Sequence, residues 1–161
     1  MNAVYQLELN AVFSAAHAIV IRGEREPLHG HDWHVTLTVE GPKLDGDGLL
    51  VDFHALEKGL KEVVARWHNR NLNETRPFDV VNPTAEKVAE HIASEMQRMM
   101  ESGVIWGDSD NPPSQSGRKN RKLTKAAGRP EVRVVCVRVT EAVGCAAVYR
   151  PGSTITRGGA R

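Results

Sequence analysis

Residues 29–34 read His-Gly-His-Asp-Trp-His, and an isolated His17 precedes them in Phe-Ser-Ala-Ala-His. Imidazole nitrogens are ligands for zinc and similar metals. Two histidines separated by one residue point to the same face of an extended strand, so His29 and His31 form a natural pair. His17 closes a three-imidazole set if it lies on a neighbouring antiparallel strand. Three neutral imidazoles with a fourth position open are the donor set of a catalytic zinc rather than a structural one. No cysteine lies close in sequence to these histidines, which also argues against a closed structural site. A bare His-x-His is a weak motif, so the weight falls on its surroundings. His34, His54 and His91 have no such context and read as ordinary polar positions.

The elements that must carry these residues can be read from periodicity. Residues 4–13 and 33–40 are rich in Val, Leu, Thr and aromatics and alternate in polarity, as half-buried antiparallel strands do. Asp45-Gly46-Asp47-Gly48 is a turn signal. Leu56, Leu60, Val63, Val64 and Trp67 then recur at helical spacing, predicting a helix from about His54 to Trp67. A second helix begins near Thr84, with Asn82 or Thr84 as N-cap, Pro83 at its start and Glu86 in its first turn. Its apolar face is Val88, Ile92, Met96 and Met99. Strands resume at Val132–Thr140 and Ala146–Tyr149. The order β-β-α-α-β-β is an α+β arrangement, with both helices on one face of a four-stranded antiparallel sheet.

Composition narrows the class. The chain of 161 residues fits one domain over 1–150, with a basic loop inserted at about 107–130 and a loose Gly-rich tail over 151–161. The insert carries six basic residues between Arg118 and Arg129 without an acid, and reads as a solvated loop. A formal charge of +1 gives no global pull toward nucleic acid or a membrane. No apolar run is long enough to span a bilayer, and the N-terminus lacks a signal peptide's pattern. Two cysteines, Cys136 and Cys145, are too few for a disulfide scaffold, and Cys136 reads as a buried structural thiol. The expectation is a cytoplasmic protein.

The ordered set Phe13-Ser14-Ala15-Ala16-His17, Leu28-His29-Gly30-His31-Asp32-Trp33, Gly48-Leu49-Leu50-Val51-Asp52-Phe53, Leu72-Asn73 and Asn82-Pro83-Thr84-Ala85-Glu86, followed by Glu141 before Tyr149, resembles the 6-pyruvoyl-tetrahydropterin synthase / 6-carboxy-tetrahydropterin synthase family. The resemblance runs from about residue 5 to Tyr149, with one interruption. It implies the tunnelling fold (T-fold), in which sheets join edge to edge into a trimeric barrel and two trimers stack into a homohexamer. It also implies a Zn2+ enzyme acting on the C6 side chain of 7,8-dihydroneopterin triphosphate, with His17, His29 and His31 as metal ligands. Glu141 corresponds to the family's pterin anchor, where a carboxylate accepts two parallel donors from the ring edge. Thr84 and Glu86 match a segment that shapes the pterin pocket, although Glu86 serves equally as a first-turn helix acid.

Two departures bear on the reaction. Family members usually carry a catalytic cysteine shortly before the His-Gly-His, and the segment Gly23-Glu24-Arg25-Glu26-Pro27-Leu28 has none. A subgroup, type III, has a glutamate three residues before the first histidine of the pair, which is where Glu26 stands. The family's Asp-His pair before Leu-Asn is replaced by His68-Asn69, so a complete cysteine-histidine-aspartate relay is absent; His68 is the remaining candidate from that pair. A base without a relay suits cleavage of the side-chain carbon–carbon bond, giving 6-hydroxymethyl-7,8-dihydropterin for folate synthesis, better than the multi-step route to 6-pyruvoyl-tetrahydropterin. The alternatives are a 6-carboxy-tetrahydropterin synthase in deazapurine synthesis and a catalytically silent pterin- or metal-binding homologue. A nucleic-acid module built on 118–129 is a weaker reading still, because a basic Gly/Pro-rich loop is more often a solvated insert.

Overall fold

The computed structural model describes residues 4–106 and 131–152, so the basic segment 107–130 and the tail from 153 onward lie outside the described residues. Two thirteen-residue strands, β1 (Tyr5–His17) and β4 (His29–Gly41), form the spine. They pair antiparallel without interruption from Tyr5 opposite Gly41 to His17 opposite His29. Between them lies a small hairpin of β2 (Val20–Ile21) and β3 (Glu24–Arg25). After α1 (Phe53–Ala65) comes a two-residue β5 (Arg70–Asn71), then α2 (Ala85–Ser102), β6 (Arg133–Ala142) and β7 (Cys145–Tyr149). The main sheet has the order β5-β1-β4-β6-β7.

Alternation explains which face carries the helices. Phe13 on β1, Trp33, Val35, Leu37 and Val39 on β4, and Val137 and Val139 on β6 are buried. Leu56, Leu60 and Val63 of α1 and Val88, Ile92 and Met96 of α2 are buried with them in one cluster. Phe13 stacks on Trp33 at 5.8 Å and tilts against Trp67 at 5.6 Å, so both sheet and helix layers meet at aromatic rings. Each such side chain contributes about 1.5–3 kcal/mol by leaving water. The opposite face is polar: Ser14 bonds Asp32, Thr36 bonds Asn10, and Glu40 receives Gln6 and Arg133. No helix among the described residues is long and apolar enough to cross a membrane.

The α+β class and the one-sided helices agree with the sequence reading; two details differ from it and two sharpen it. The sheet has five strands rather than four, because Arg70 and Asn71 pair in parallel with Ala15 and Ala16. Both spine strands run past the bounds read from periodicity and reach the histidines, which places His29 and His31 on one strand and His17 on its antiparallel neighbour, as strand parity required. Thr84 is the cap of α2, its hydroxyl accepting from the Lys87 N–H at 3.3 Å, while Asn82 is engaged elsewhere. Cys136 is half-buried rather than in the core. Val135 is an extra residue in the β4–β6 pairing, and Cys136 follows it opposite Thr38, away from the buried Val137.

Candidate metal centre

The last pair of the spine brings His17 and His29 face to face, and His31 lies one step in, opposite Ala15. Their ring centroids are 4.8 Å apart for His17–His29, 4.7 Å for His29–His31 and 5.3 Å for His17–His31. Sheet geometry alone produces this cluster: cross-strand neighbours and same-face residues two apart are the closest side chains a strand pair offers. Trp33, next on that face, closes the inner side with its ring 4.8 Å from that of His17. Its indole N–H donates to the Ala15 carbonyl at 3.2 Å, so the polar end of the ring is satisfied. His17 is fully buried.

The orientation of each ring follows from its outer nitrogen. His17 Nδ1 lies 2.8 Å from the Pro83 carbonyl and His29 Nδ1 lies 2.8 Å from the Pro27 carbonyl. A carbonyl oxygen only accepts, so both Nδ1 atoms carry a proton, which leaves Nε2 of each ring as the atom able to offer a lone pair to a metal. Backbone carbonyls on the outer nitrogens of histidines are the usual device for orienting metal ligands. His17 Nε2 and His31 Nε2 are buried with no hydrogen-bond partner. Burial also pushes the His31 pKa below its ordinary value, against the opposing pull of the Glu141 carboxylate, which favours the uncharged ring that a metal needs.

Glu141 completes the cluster from β6. In the β6–β7 pairing Thr140 faces Ala146 and Ala142 faces Cys145, which makes Glu141 the extra residue of a bulge. Bulges re-aim side chains at the ends of ladders, and this one presents a carboxylate to the imidazoles. Its Oε1 is 2.8 Å from His17 Nε2 and 3.5 Å from His31 Nε2. The shorter contact lacks the alignment of a hydrogen bond, and a lone pair facing a carboxylate oxygen is repulsive unless a cation or proton stands between them. One donor atom from each of His17, His29, His31 and Glu141 lies within 4.8 Å of the others. Three imidazole nitrogens and a carboxylate oxygen are all zinc donors, so the residues present fit that ion.

Glu26 stands beside this set. Its Oε1 is 3.7 Å from His29 Nε2 and also accepts the Ile19 N–H at 3.1 Å. The hairpin β2–β3 brings it there by turning the chain back, with Arg22 and Gly23 both at positive φ. The other candidates are placed differently. His68 is exposed near the β1–β5 edge, where its Nδ1 accepts the Ser14 N–H at 3.2 Å, and it does not join the cluster within this chain. Thr84 spends its hydroxyl on the helix cap, and Glu86 is exposed on the first turn with no ion pair among the described residues. Neither is among the four clustered donors.

Several contributors were not found by sequence reasoning. The Pro27 and Pro83 carbonyls are backbone groups, invisible to any motif of side chains. Asn73 reads in the sequence only as a piece of a pattern and Asn82 as that and a possible helix cap, yet each bonds the backbone that follows β1, at Ala18 and Val20.

Comparison with known proteins bears on the family and the fold. A family model described as 6-pyruvoyl tetrahydropterin synthase matches residues 6–106. A dihydroneopterin monophosphate aldolase of Pyrococcus furiosus is 36% identical over 94 residues, which cover 58% of this chain and 76% of that protein. A 6-carboxy-5,6,7,8-tetrahydropterin synthase of Bacillus subtilis is 34% identical over 106 residues, covering 61% of this chain and 70% of the other. A solved 6-pyruvoyltetrahydropterin synthase of Plasmodium vivax, with a catalytic glutamate replaced by alanine, superposes with a TM-score of 0.65. That match covers 94% of this chain and 99% of the other at 16% identity, a likeness of fold alone.

Proposed function

The chain belongs to the 6-pyruvoyl tetrahydropterin synthase family, and from that premise we propose a zinc-dependent lyase that cleaves the C6 side chain of a 7,8-dihydroneopterin phosphate to give 6-hydroxymethyl-7,8-dihydropterin. The observation that carries this reading is the position of Glu26, a carboxylate fixed by a backbone N–H at 3.1 Å and standing 3.7 Å from His29. The segment before His29 holds no thiol. His17, His29 and His31 are the proposed metal ligands. When bound, zinc supplies a Lewis acid that polarises side-chain hydroxyls and makes their protons easier to remove.

Glu26 takes the proton of a side-chain hydroxyl. That oxygen becomes a carbonyl as the neighbouring carbon–carbon bond breaks, and the released pair passes into the imine of the pterin ring until carbon is reprotonated. One positioned base suffices for this step. Glu141 is the proposed anchor of the ring edge, with Thr84 and Glu86 bordering the pocket and His68 available at the β1–β5 edge. The aldolase relative is named for a monophosphate, which supports carbon–carbon cleavage and makes both phosphate esters candidate substrates. A second reading, 6-carboxy-tetrahydropterin synthase, is favoured by the Bacillus relative.

The test is to incubate metal-loaded protein with 7,8-dihydroneopterin triphosphate and, separately, the monophosphate, and to identify products by mass. 6-Hydroxymethyl-7,8-dihydropterin is expected; a 6-carboxy product selects the second reading, and no turnover of either ester leaves a pterin binder. Glu26→Gln is expected to lower turnover by roughly 10²–10⁴-fold with metal retained, the usual contribution of a positioned base. Glu26→Cys should shift the products toward 6-pyruvoyl-tetrahydropterin.

A further inference from the structure

Three consecutive residues after β1 are held by three matched pairs of hydrogen bonds. Asn73 Oδ1 accepts the Ala18 N–H and Asn73 Nδ2 donates to the Ala18 carbonyl, both at 2.8 Å. Asn82 does the same to Val20, with both bonds at 2.9 Å. Between them Glu26 accepts the Ile19 N–H on its carboxylate at 3.1 Å and donates its own N–H to the Ile19 carbonyl at 3.1 Å. Every backbone donor and acceptor from Ala18 to Val20 is thus engaged.

The two asparagines come from separate places. Asn73 lies in the 3-10 turn Leu72–Glu74, where its N–H is held at 3.1 Å by Asn71. Asn82 precedes Pro83, whose carbonyl holds His17. An amide side chain offers a donor and an acceptor in one plane, which matches a peptide's N–H and C=O; a carboxylate lacks the donor. A single hydrogen bond is worth about 0.5–1.5 kcal/mol net, too little for the Ile19 N–H to fix a carboxylate if its own peptide wandered.

We propose that Asn73 and Asn82 are positioning residues for Glu26: they lock the segment Ala18–Val20 so that the Ile19 N–H holds one carboxylate oxygen beside His29 and leaves the other for the substrate proton. This inference rests on the reading of Glu26 as the base. The asparagines act through the backbone, so they alter the placement of Glu26 without altering the ligand set.

The test is a double-mutant cycle on metal-loaded protein, with 7,8-dihydroneopterin phosphate turnover, metal content and amide hydrogen exchange as readouts. Asn82→Ala removes an exposed side chain, and Asn73→Ala removes the part-buried one. Each is expected to lower kcat about 10–100-fold, the scale of a small misplacement of a reacting group, with KM and metal content close to parent. In the Glu26→Gln background, where the amide oxygen still accepts from Ile19, neither is expected to lower kcat further. In metal-free protein, exchange over residues 18–20 should accelerate in both variants. An equal loss in the parent and Glu26→Gln backgrounds, or parent kcat in Asn82→Ala, overturns the proposal and leaves Glu26 as base untouched. Parent turnover in Glu26→Gln itself is a different result, which removes the base and this proposal with it. If Asn73→Ala fails to fold, Asn82→Ala carries the cycle alone.

Discussion

At the scale of single residues, the site depends on which nitrogen of each ring holds the proton. The Pro83 and Pro27 carbonyls fix Nδ1–H on His17 and His29, so Nε2 of each ring is the atom left to bind an ion. Protein purified without chelator is therefore expected to carry one metal per chain, and His17→Ala to lose it, as read by elemental analysis. Chelation should lower the melting temperature, because an ion bound only by the folded state stabilises that state by mass action. Glu141 sits against Nε2 of His17 and of His31, which sets its proposed role as pterin anchor against a role as fourth ligand. Glu141→Ala is expected to keep the metal on three imidazoles and to weaken binding of a pterin ligand; calorimetry showing intact pterin affinity with metal lost would reverse the assignment. The spacing of His29 and His31 was legible because strand parity is a local rule. The approach of Glu141 was not, because it depends on a bulge whose partner strand no local pattern reveals.

At the scale of elements, boundaries were legible where a cap announces them. Thr84, one of the two caps read for α2, accepts the Lys87 N–H at 3.3 Å just before the helix starts, whereas α1 is read from periodicity alone and its cap Asp52, accepting the His54 N–H at 2.9 Å, sets its start at Phe53. The β2–β3 hairpin was not legible, because its two-residue turn places Arg22 at φ 52 before Gly23 at φ 86, and arginine is not a residue that signals such a turn. Close approach is equally hidden: a Cβ on Gly41 would lie 2.7 Å from the Glu131 carbonyl oxygen, a backbone atom that cannot swing aside. Gly41→Ala is accordingly expected to destabilise by about 1–3 kcal/mol, the range of overpacked sites, measured by denaturant melts. His91 links the helices to the turn between them, with its ring 5.5 Å from Trp67 and 6.0 Å from Phe78. Burial lowers its pKa, with Glu95 pulling up and Arg66 and Arg98 pushing down. The unfolded chain then binds the proton more readily, so this contribution is complete above about pH 6.5, the ordinary histidine value, and is lost as pH falls below it. The drop in melting temperature between pH 7 and pH 5.5 should be smaller in His91→Phe than in the parent protein.

At the scale of the whole molecule, the helices cover one face of the sheet and leave its edges open. β5 shields only Ala15 and Ala16 of the thirteen-residue β1, and β7 ends the other side with no strand beyond it among the described residues. Long bare edges invite pairing with another chain, and nothing among the described residues blunts these two with proline. Val148 on β7 and Val12 on β1 are 47% and 54% exposed, apolar groups that water would disfavour on edges left solitary. His68 stands near one of these edges, outside the cluster of its own chain, where a neighbouring copy would meet it. The expected state is a trimer-based assembly, a hexamer if two rings stack, and sedimentation at micromolar concentration reads it directly. Val148→Lys sets a charge on the β7 edge and should shift the distribution toward monomer while the histidine cluster keeps its metal. If that monomer still bound pterin with parent affinity, the pocket would lie wholly within one chain and His68 would have no part in it.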